Sequence, residues 1–140
     1  GQKENNSPIK LSDIADGNGG FVINGENENH YSGASVSSAG DVNGDGLDDL
    51  IIGAAFADPN DLVVAGRTYV VFGENRLNNN LSLSEIALEE GGFVINGENM
   101  LDISGYSVSS AGDFNGDRQA DLIIGAPWAD DSTGKSYVIL

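Results

Sequence analysis

The feature that most constrains this chain is an internal repeat. Residues 11–58 align with residues 83–130 without a gap at an offset of 72, and 33 of those 48 positions are identical. After a connection that differs in length by four residues, residues 66–71 match residues 134–139. A chain made of two copies of one unit is expected to place two similar structural units side by side.

Each copy contains short apolar, β-branched runs separated by clusters of glycine, asparagine and aspartate, which predicts strands joined by turns. Glycine accounts for 20 of the 140 residues, about twice the average share of roughly 7%, and this favours turns over long helices. Strands are predicted near residues 20–24, 34–40, 49–54, 67–72, 92–96, 106–112, 121–126 and 135–140. Short helical turns are predicted at residues 82–88, where Ser82 and Glu85 have capping-box spacing, and at residues 11–15.

Four strands per copy, at a period near 70 residues, predict an all-β fold of β-propeller blades. Each blade would be a sheet of four antiparallel strands that buries both faces against its neighbours. We divide the chain into a disordered leader of residues 1–10, a first repeat unit of residues 11–82 and a second of residues 83–140. The strand at residues 20–24 is expected to complete the last blade, in its own chain or in a neighbouring chain.

The acidic composition narrows the classes of ligand. Aspartate and glutamate number 22 against 6 lysines and arginines, so the formal net charge is −16. Nucleic acid and anionic membrane surfaces attract basic patches, so we expect neither nucleic-acid binding nor membrane insertion. No apolar run approaches the roughly 18 residues of a membrane span. Cations are the favoured partners.

The chain offers few groups suited to catalysis. Cysteine is absent, which excludes thiolate catalysis, disulfides and cysteine-ligated zinc. The single histidine, His30, is predicted to be a solvated loop residue, and no Ser-His-Asp set repeats. These observations predict a protein that is not an enzyme.

Two loops carry the pattern of a metal site. In residues 41–49, side-chain oxygens stand at loop positions 1, 3, 5 and 9, and residues 113–121 repeat that spacing. Alternating oxygen donors on a tight, glycine-containing loop suit a hard cation with six to eight oxygen ligands, and Mg²⁺ fits less well because it prefers strict octahedral geometry. The alternative, an acidic turn that binds no metal, would leave four carboxylates in the first loop and three in the second to repel one another.

These motifs resemble those of the FG-GAP repeats in the integrin α-chain β-propeller and in bacterial relatives of it. The resemblance is carried by Ser32-Gly33 and Ser104-Gly105 at the FG position, and by Gly53-Ala54-Ala55 and Gly125-Ala126-Pro127 at the GAP position. The family's phenylalanine is serine in both copies, and the glycine at loop position 6 is Arg118 in the second copy.

The resemblance implies two Ca²⁺ sites per chain, each on a loop that joins the two innermost strands of a blade. By analogy with the EF-hand loop, the backbone carbonyl at position 7 is a further donor. The implied ligands are Asp41, Asn43, Asp45, the Leu47 carbonyl and Asp49 in the first loop, and Asp113, Asn115, Asp117, the Gln119 carbonyl and Asp121 in the second.

We expect a calcium-binding propeller module that acts as an adhesion or interaction scaffold, in the extracellular space or at the cell surface, with a protein or glycan ligand. A lectin-like carbohydrate-binding module and an accessory domain of a secreted hydrolase or lyase are the alternatives. Trp128 and Phe56, which follow the GAP positions, are expected either to pack between blades or to contact a ligand.

Two blades cannot close a propeller, which has typically four to eight. We therefore expect self-association into a closed ring of three or four chains, or closure within a longer parent chain.

Overall fold

The computed structural model describes residues 7–74 and 80–140, so the first six residues of the leader predicted at 1–10 lie outside the described residues. Within those ranges, the strands in chain order are β1 (Ile23–Asn24), β2 (Ser35–Gly40), β3 (Asp49–Ala54), β4 (Arg67–Val71), β5 (Leu81–Ser82), β6 (Gly92–Asn96), β7 (Ser107–Gly112), β8 (Asp121–Ala126) and β9 (Lys135–Ile139). The short helices are α1 (Leu11–Ala15), α2 (Leu83–Ala87) and α3 (Ala129–Ser132), and a 3₁₀ turn covers Pro59–Asp61.

The first blade is complete, and it takes its fourth strand, β6, from the second of the two repeat units defined above. Its sheet has the strand order β2-β3-β4-β6, with every neighbouring pair antiparallel. Across the sheet, Ile51 lies opposite Val70, and Val70 lies opposite Phe93. The prediction of a propeller blade with four antiparallel strands is confirmed for this blade.

The second repeat forms a sheet of three antiparallel strands in the order β7-β8-β9. Its register repeats that of the first blade, since Ile123 lies opposite Val138 as Ile51 lies opposite Val70. In the part of the chain that the structure describes, no strand lies beside β9 in the way that β6 lies beside β4. The second blade therefore ends in an edge strand.

The strand predicted at residues 20–24 is shorter than expected. Only Ile23 and Asn24 are in a strand, and they pair in parallel with Leu81 and Ser82 of β5. A strand is present within the predicted range, but it covers two residues because β5 offers a partner of two residues only. The long antiparallel partner that β4 provides for β6 is not beside β1.

One hydrophobic core lies between the first sheet and α2. Leu83 and Ile86 of α2 are fully buried, and they pack with Ile52 and Tyr69 of the sheet. These contacts hold α2 on one face of the first blade.

The start of α2 has the capping box that the sequence predicts. The Ser82 hydroxyl accepts a hydrogen bond from the Ser84 N–H at 3.3 Å, and the Glu85 carboxylate accepts one from the Ser82 N–H at 3.5 Å. Two of the otherwise unpaired N–H groups of the first turn are thereby satisfied. The equivalent helix α1 has no side-chain cap.

A second hydrophobic core lies between the two blades. Ile51 and Val70 of the first sheet are fully buried and share a cluster with Leu122 and Ile124 of the second. Because successive residues of a strand point to opposite faces, Ile51 faces the second blade while Ile52 faces α2. The apolar pair at the centre of β3 is thus explained by a sheet that is covered on both faces.

The connection from β6 to β7, residues 97–106, runs along the first blade before it enters the second. The N–H groups of Ile103 and Ser104 donate to the carbonyls of Val64 and Ala65 at 3.1 and 3.0 Å. These backbone bonds fix the position of the second blade relative to the first.

The glycines of the FG and GAP positions meet between the blades. A Cβ atom added to Gly53 would overlap the carbonyl oxygen of Gly105, and the Ser35 hydroxyl donates a hydrogen bond to that same oxygen at 2.7 Å. A glycine at position 53 therefore allows a backbone-to-backbone approach that a larger residue would block.

None of the helices in the described ranges is long and apolar enough to cross a membrane.

Candidate metal centres

The first candidate loop, residues 41–49, connects β2 to β3, which are neighbours in the first sheet. The Asp41 carboxylate stands at its entrance and accepts three backbone hydrogen bonds, from the N–H groups of Gly44 at 2.7 Å, Asp45 at 3.0 Å and Gly46 at 2.8 Å. Because these donors are three to five residues farther along the chain, the loop winds around this one carboxylate.

Asp49, at the other end of the first loop, is fully buried. Its two oxygens accept hydrogen bonds from the N–H groups of Val42 at 2.8 Å and Gly73 at 2.7 Å. A buried carboxylate is costly unless it is hydrogen-bonded, and here it ties the start of the loop to the segment that follows β4.

The middle of the first loop holds its side chains through local bonds. The Asn43 carbonyl oxygen accepts a bond from the Asp45 N–H, and its amide nitrogen donates to the Asp45 carboxylate, both at 3.1 Å. Asp45 also accepts a bond from the Leu47 N–H at 2.8 Å. This side-chain pattern on alternate residues is that of consecutive Asx turns.

The second loop, residues 113–121, repeats much of this arrangement between β7 and β8. Asp121 is buried, and its carboxylate accepts bonds from the N–H groups of Phe114 at 2.6 Å and Asn115 at 3.1 Å. The Asp117 carboxylate accepts a bond from the Gln119 N–H at 2.8 Å. That bond, followed by the Asn115 side-chain amide, lowers the pKa of Asp117 below its usual range.

The two loops differ at their first and sixth positions. In place of the three bonds to Asp41, the Asp113 carboxylate accepts a bond from the Arg118 N–H at 3.0 Å. The backbone at position 6 is left-handed in both loops, with φ of 86° at Gly46 and 75° at Arg118. Glycine adopts this conformation freely, whereas arginine is strained in it.

The donor set fits a hard cation by its chemistry. Each loop offers three carboxylates, an amide oxygen and the carbonyl at position 7, all of which are oxygen ligands of the kind that Ca²⁺ takes. A carboxylate has about four lone-pair sites, so Asp45 and Asp49, each with two hydrogen bonds, keep acceptor capacity. Across the described residues, no three or more Asp, Glu, His or Cys side chains converge closely enough to hold a metal ion. The ligand assignments at the ten predicted positions stay predictions.

A second recurring polar contact was not found by the sequence reasoning. The Glu26 carboxylate accepts bonds from Tyr69 Oη at 2.5 Å and Arg67 Nη1 at 2.9 Å. Burial, followed by the hydrogen bond to Glu26, raises the pKa of the Tyr69 phenol, while Arg67 acts in the opposite direction. Both the Phe-Val-Ile-Asn-Gly-Glu-Asn segment and the tyrosine of β4 recur in the second repeat. That double recurrence is the signal that could have revealed the contact.

In the second repeat the same contact joins Glu98 to Tyr137 and Lys135, at 2.6 and 3.4 Å. Burial, followed by the hydrogen bond to Glu98, raises the pKa of Tyr137 to about 12. The Tyr137 hydroxyl and the Lys135 ammonium in turn lower the pKa of Glu98. This glutamate precedes the second blade in the chain and contacts its third strand, so it helps to seat the incoming segment on the blade.

The two aromatic residues after the GAP positions, Trp128 and Phe56, are exposed, whereas His30 is half-buried. Trp128 is 58% exposed and Phe56 is 40% exposed, with the Phe56 ring packed edge-to-face on Tyr31 at a centroid distance of 5.5 Å. Neither is buried between the two described blades. His30 is half-buried rather than solvated, since its Nδ1 atom is enclosed and has no hydrogen-bond partner among the described residues.

The FG-GAP repeat family matches this chain twice, at residues 32–71 and 104–139. Integrin alpha-PS2 of Drosophila melanogaster is 31% identical over 124 residues, which cover 86% of this chain and 8% of that protein. Integrin alpha ina-1 of Caenorhabditis elegans is 32% identical over 124 residues, covering 86% and 11%. Integrin alpha-5 of Xenopus laevis is 35% identical over 112 residues, covering 77% and 10%.

The chain thus spans about a tenth of the length of these relatives. Both matches start at the serine of the FG position and end in the third strand of the blade, so each contains one complete candidate metal loop. Together they cover more than half of the sequence, and the chain belongs to the FG-GAP repeat family.

Proposed function

We propose that this chain is a calcium-binding β-propeller module that serves as an interaction scaffold outside the cytoplasm. The observation that carries the proposal is the loop found at the same place in both blades, with oxygen-bearing side chains at positions 1, 3, 5 and 9. Integrin α chains among its relatives support an interaction role at the cell surface.

The residues that would hold the ions are those assigned at positions 1, 3, 5, 7 and 9 of each loop. Calcium fits better than magnesium because each loop offers five protein oxygens, whereas Mg²⁺ loses its water reluctantly and is usually held by only one or two carboxylates. A bound Ca²⁺ would supply positive charge to a chain with a net charge of −16. Its role would be structural, in holding the turn between the two inner strands.

We also propose that this chain is not an enzyme. The chain has no cysteine and one histidine, and the repeated carboxylates lie in the metal loops. Their proposed role is to bind the ion, which leaves them unsuited to proton transfer during a reaction.

Calorimetric titration with CaCl₂ tests the metal sites one at a time. We expect two sites in the wild type and one in each of the variants Asp41→Ala and Asp113→Ala. Asp13→Ala removes the same charge from an exposed position in α1 and is expected to keep both sites. Two sites in all four proteins, or none in the wild type, would refute the calcium proposal.

A carbohydrate-binding role is the second candidate, and one observation favours it. The exposed Trp128 ring borders a cleft of about 570 Å³ that also contains Asn99 and Asp130. Flat aromatic rings beside amide and carboxylate groups suit the apolar faces and hydroxyls of sugars. Binding to a glycan array that is lost in Trp128→Ala but kept in Tyr106→Ala, a change of another exposed aromatic, would favour this role over protein recognition.

The proposed module would act within a completed propeller, because two blades are fewer than the four that the smallest typical propeller contains. Further copies of the chain or further repeats of a parent chain could supply the rest.

A further inference from the structure

The two candidate metal loops touch each other where the blades meet. The Ala120 N–H of the second loop donates a hydrogen bond to the main-chain carbonyl oxygen of Asp41 in the first loop, at 2.9 Å. Asp41 stands at position 1 of its loop, and Ala120 stands at position 8 of the other, between the predicted ligands Gln119 and Asp121. One backbone bond therefore joins the entrance of the first loop to the exit of the second.

The donor of this bond shares a peptide group with a predicted ligand. The Ala120 N–H and the Gln119 carbonyl are the two ends of one planar trans unit, so they point in opposite directions. Because the N–H is directed at Asp41, the Gln119 carbonyl is directed away from the first loop. No N–H or O–H group of the described residues donates to that carbonyl, so its lone pairs are available to a metal ion.

The acceptor of the bond is held in place as well. The peptide group that carries the Asp41 carbonyl also carries the Val42 N–H, which donates to the buried Asp49 carboxylate at 2.8 Å. The Val42 side chain packs on the core between the blades. A peptide group that is bonded at both ends cannot turn freely, so Asp41 presents its carbonyl to the second loop in a defined direction.

The packing around the bond is close. A Cβ atom added to Gly40 would lie 2.7 Å from the Ala120 Cβ, which is nearer than two such atoms approach. Asp48, the equivalent of Ala120 in the first loop, is exposed. The alanine in the second repeat, where the first repeat has aspartate, thus lies where the two loops pack together.

We infer that the main-chain carbonyl of Asp41 is a positioning group for the second metal site, which is therefore built by two blades and not by its own loop alone. Its role is to fix the direction of the Gln119 carbonyl through the peptide group that this carbonyl shares with the Ala120 N–H. The inference rests on the proposed calcium function and extends it by assigning part of the second site to the first loop.

The dependence runs in one direction. Both loops lie within the described residues, and in the first loop the peptide group shared by Leu47 and Asp48 makes no hydrogen bond to the second loop. The second site therefore depends on the first loop for the direction of its position 7 oxygen, whereas the first site has no equivalent dependence on the second loop.

Calcium titration of a chain that keeps only the second site tests this assignment. Asp45→Ala removes a predicted ligand of the first loop without altering either residue of the contact, and it serves as the background. Gly40→Ala, added to this background, places a Cβ against Ala120. It should raise the dissociation constant of the second site about tenfold, as is usual when a group that orients a metal ligand is displaced.

Gly46→Ala in the same background is the matched control. Gly46 is also left-handed, with φ of 86° against 69° at Gly40, but a Cβ added to it meets no atom within 4 Å. It strains the first loop without displacing Ala120, so the second site should keep the affinity of the background. Equal affinities in the Gly40→Ala and Gly46→Ala chains would overturn the inference alone. A background chain that binds no Ca²⁺ would refute the proposed function, and the inference with it.

Nuclear magnetic resonance tests the contact without a change at position 40, so it decides the matter even if Gly40→Ala fails to fold. In the Asp45→Ala chain we expect a scalar coupling across the hydrogen bond, between the Ala120 amide nitrogen and the Asp41 carbonyl carbon. Filling the second site with Ca²⁺ should shift the resonance of the Gln119 carbonyl carbon. Absence of the coupling, or an unshifted Gln119 carbonyl in a calcium-loaded chain, would contradict the inference.

Discussion

At position 6 of the two candidate metal loops, the residue differs although the backbone conformation is the same. Gly46 and Arg118 both have positive φ, at 86° and 75°, so the second loop adopts the turn of the first with a residue that is poorly suited to it. The left-handed conformation costs a non-glycine residue roughly 1–2 kcal/mol.

Arg118→Gly should therefore strengthen calcium binding at the second site. Removing strain of about 1 kcal/mol corresponds to roughly a fivefold gain in affinity, and the loss of a positive charge acts in the same direction. Calorimetry in an Asp41→Ala background, where only the second site remains, measures the change. Gly46→Arg in an Asp113→Ala background should show the reverse, and unchanged affinities in both would contradict the strain argument.

The contact between Tyr137 and Glu98 makes the stability of the second blade depend on pH in the alkaline range. The pKa of Tyr137 is raised from 10.0 to about 12, so the folded state favours the neutral phenol. The stability that this contributes is fully present below about pH 10 and is lost as the pH rises toward 12. The free energy of unfolding should therefore decline more steeply over this range in the wild type than in Tyr137→Phe.

Urea unfolding at pH 8, 10 and 11 measures that difference. Tyr106→Phe, at a residue that is 62% exposed, serves as the matched control and should follow the wild type. If the free energy of unfolding fell equally with pH in the wild type and in Tyr137→Phe, the contact would not stabilise the blade.

At the scale of elements, the blade-to-blade contact depends on a backbone approach at the GAP glycine. A Cβ at Gly53 would overlap the Gly105 carbonyl oxygen and the Ser35 hydroxyl, whereas a Cβ at the equivalent Gly125 would meet the movable side chain of Ser107. The same sequence position is thus under different constraints in the two blades.

Gly53→Ala should destabilise the chain by about 1–3 kcal/mol, the usual cost of overpacking, and Gly125→Ala by less. Urea unfolding of both variants and of the wild type, at the same protein concentration, makes the comparison. Equal losses of stability would indicate that the glycine is needed within each blade and not between blades.

At the scale of the whole molecule, the net charge of −16 opposes compact folding through self-repulsion. Four aspartates in the first loop and three in the second concentrate that charge at the turns between inner strands. A cation bound only by the folded state would offset the repulsion and raise stability by mass action.

Thermal melts in Ca²⁺, in Mg²⁺ and in a chelator should therefore differ. We expect the highest midpoint in Ca²⁺, an intermediate one in Mg²⁺ and the lowest with the chelator. The double variant Asp41→Ala/Asp113→Ala should melt at one temperature in all three buffers. If the wild type melted at the same midpoint in Ca²⁺, in Mg²⁺ and in the chelator, the loops would not be metal sites.

Much of the architecture follows from local sequence. The repeat, the turn residues and the apolar runs were sufficient to predict four-stranded blades, and the Ser82–Glu85 spacing predicted the cap of α2. These features depend on neighbours in the chain, on side-chain alternation and on backbone conformations that particular residues allow. The candidate metal positions could be predicted for the same reason, since loop spacing is a local property.

Contacts between distant segments could not be predicted in this way. The sequence alone determined that two similar blades form and where their acidic loops lie. Tertiary structure decided that Glu26 meets Tyr69 and that β1 pairs over two residues with β5. It also decided that Ile51 is buried while the equivalent Ile123 is exposed. The physical reason is that burial depends on which surface is placed against a residue, so two identical sequences at different positions in a stack acquire different environments.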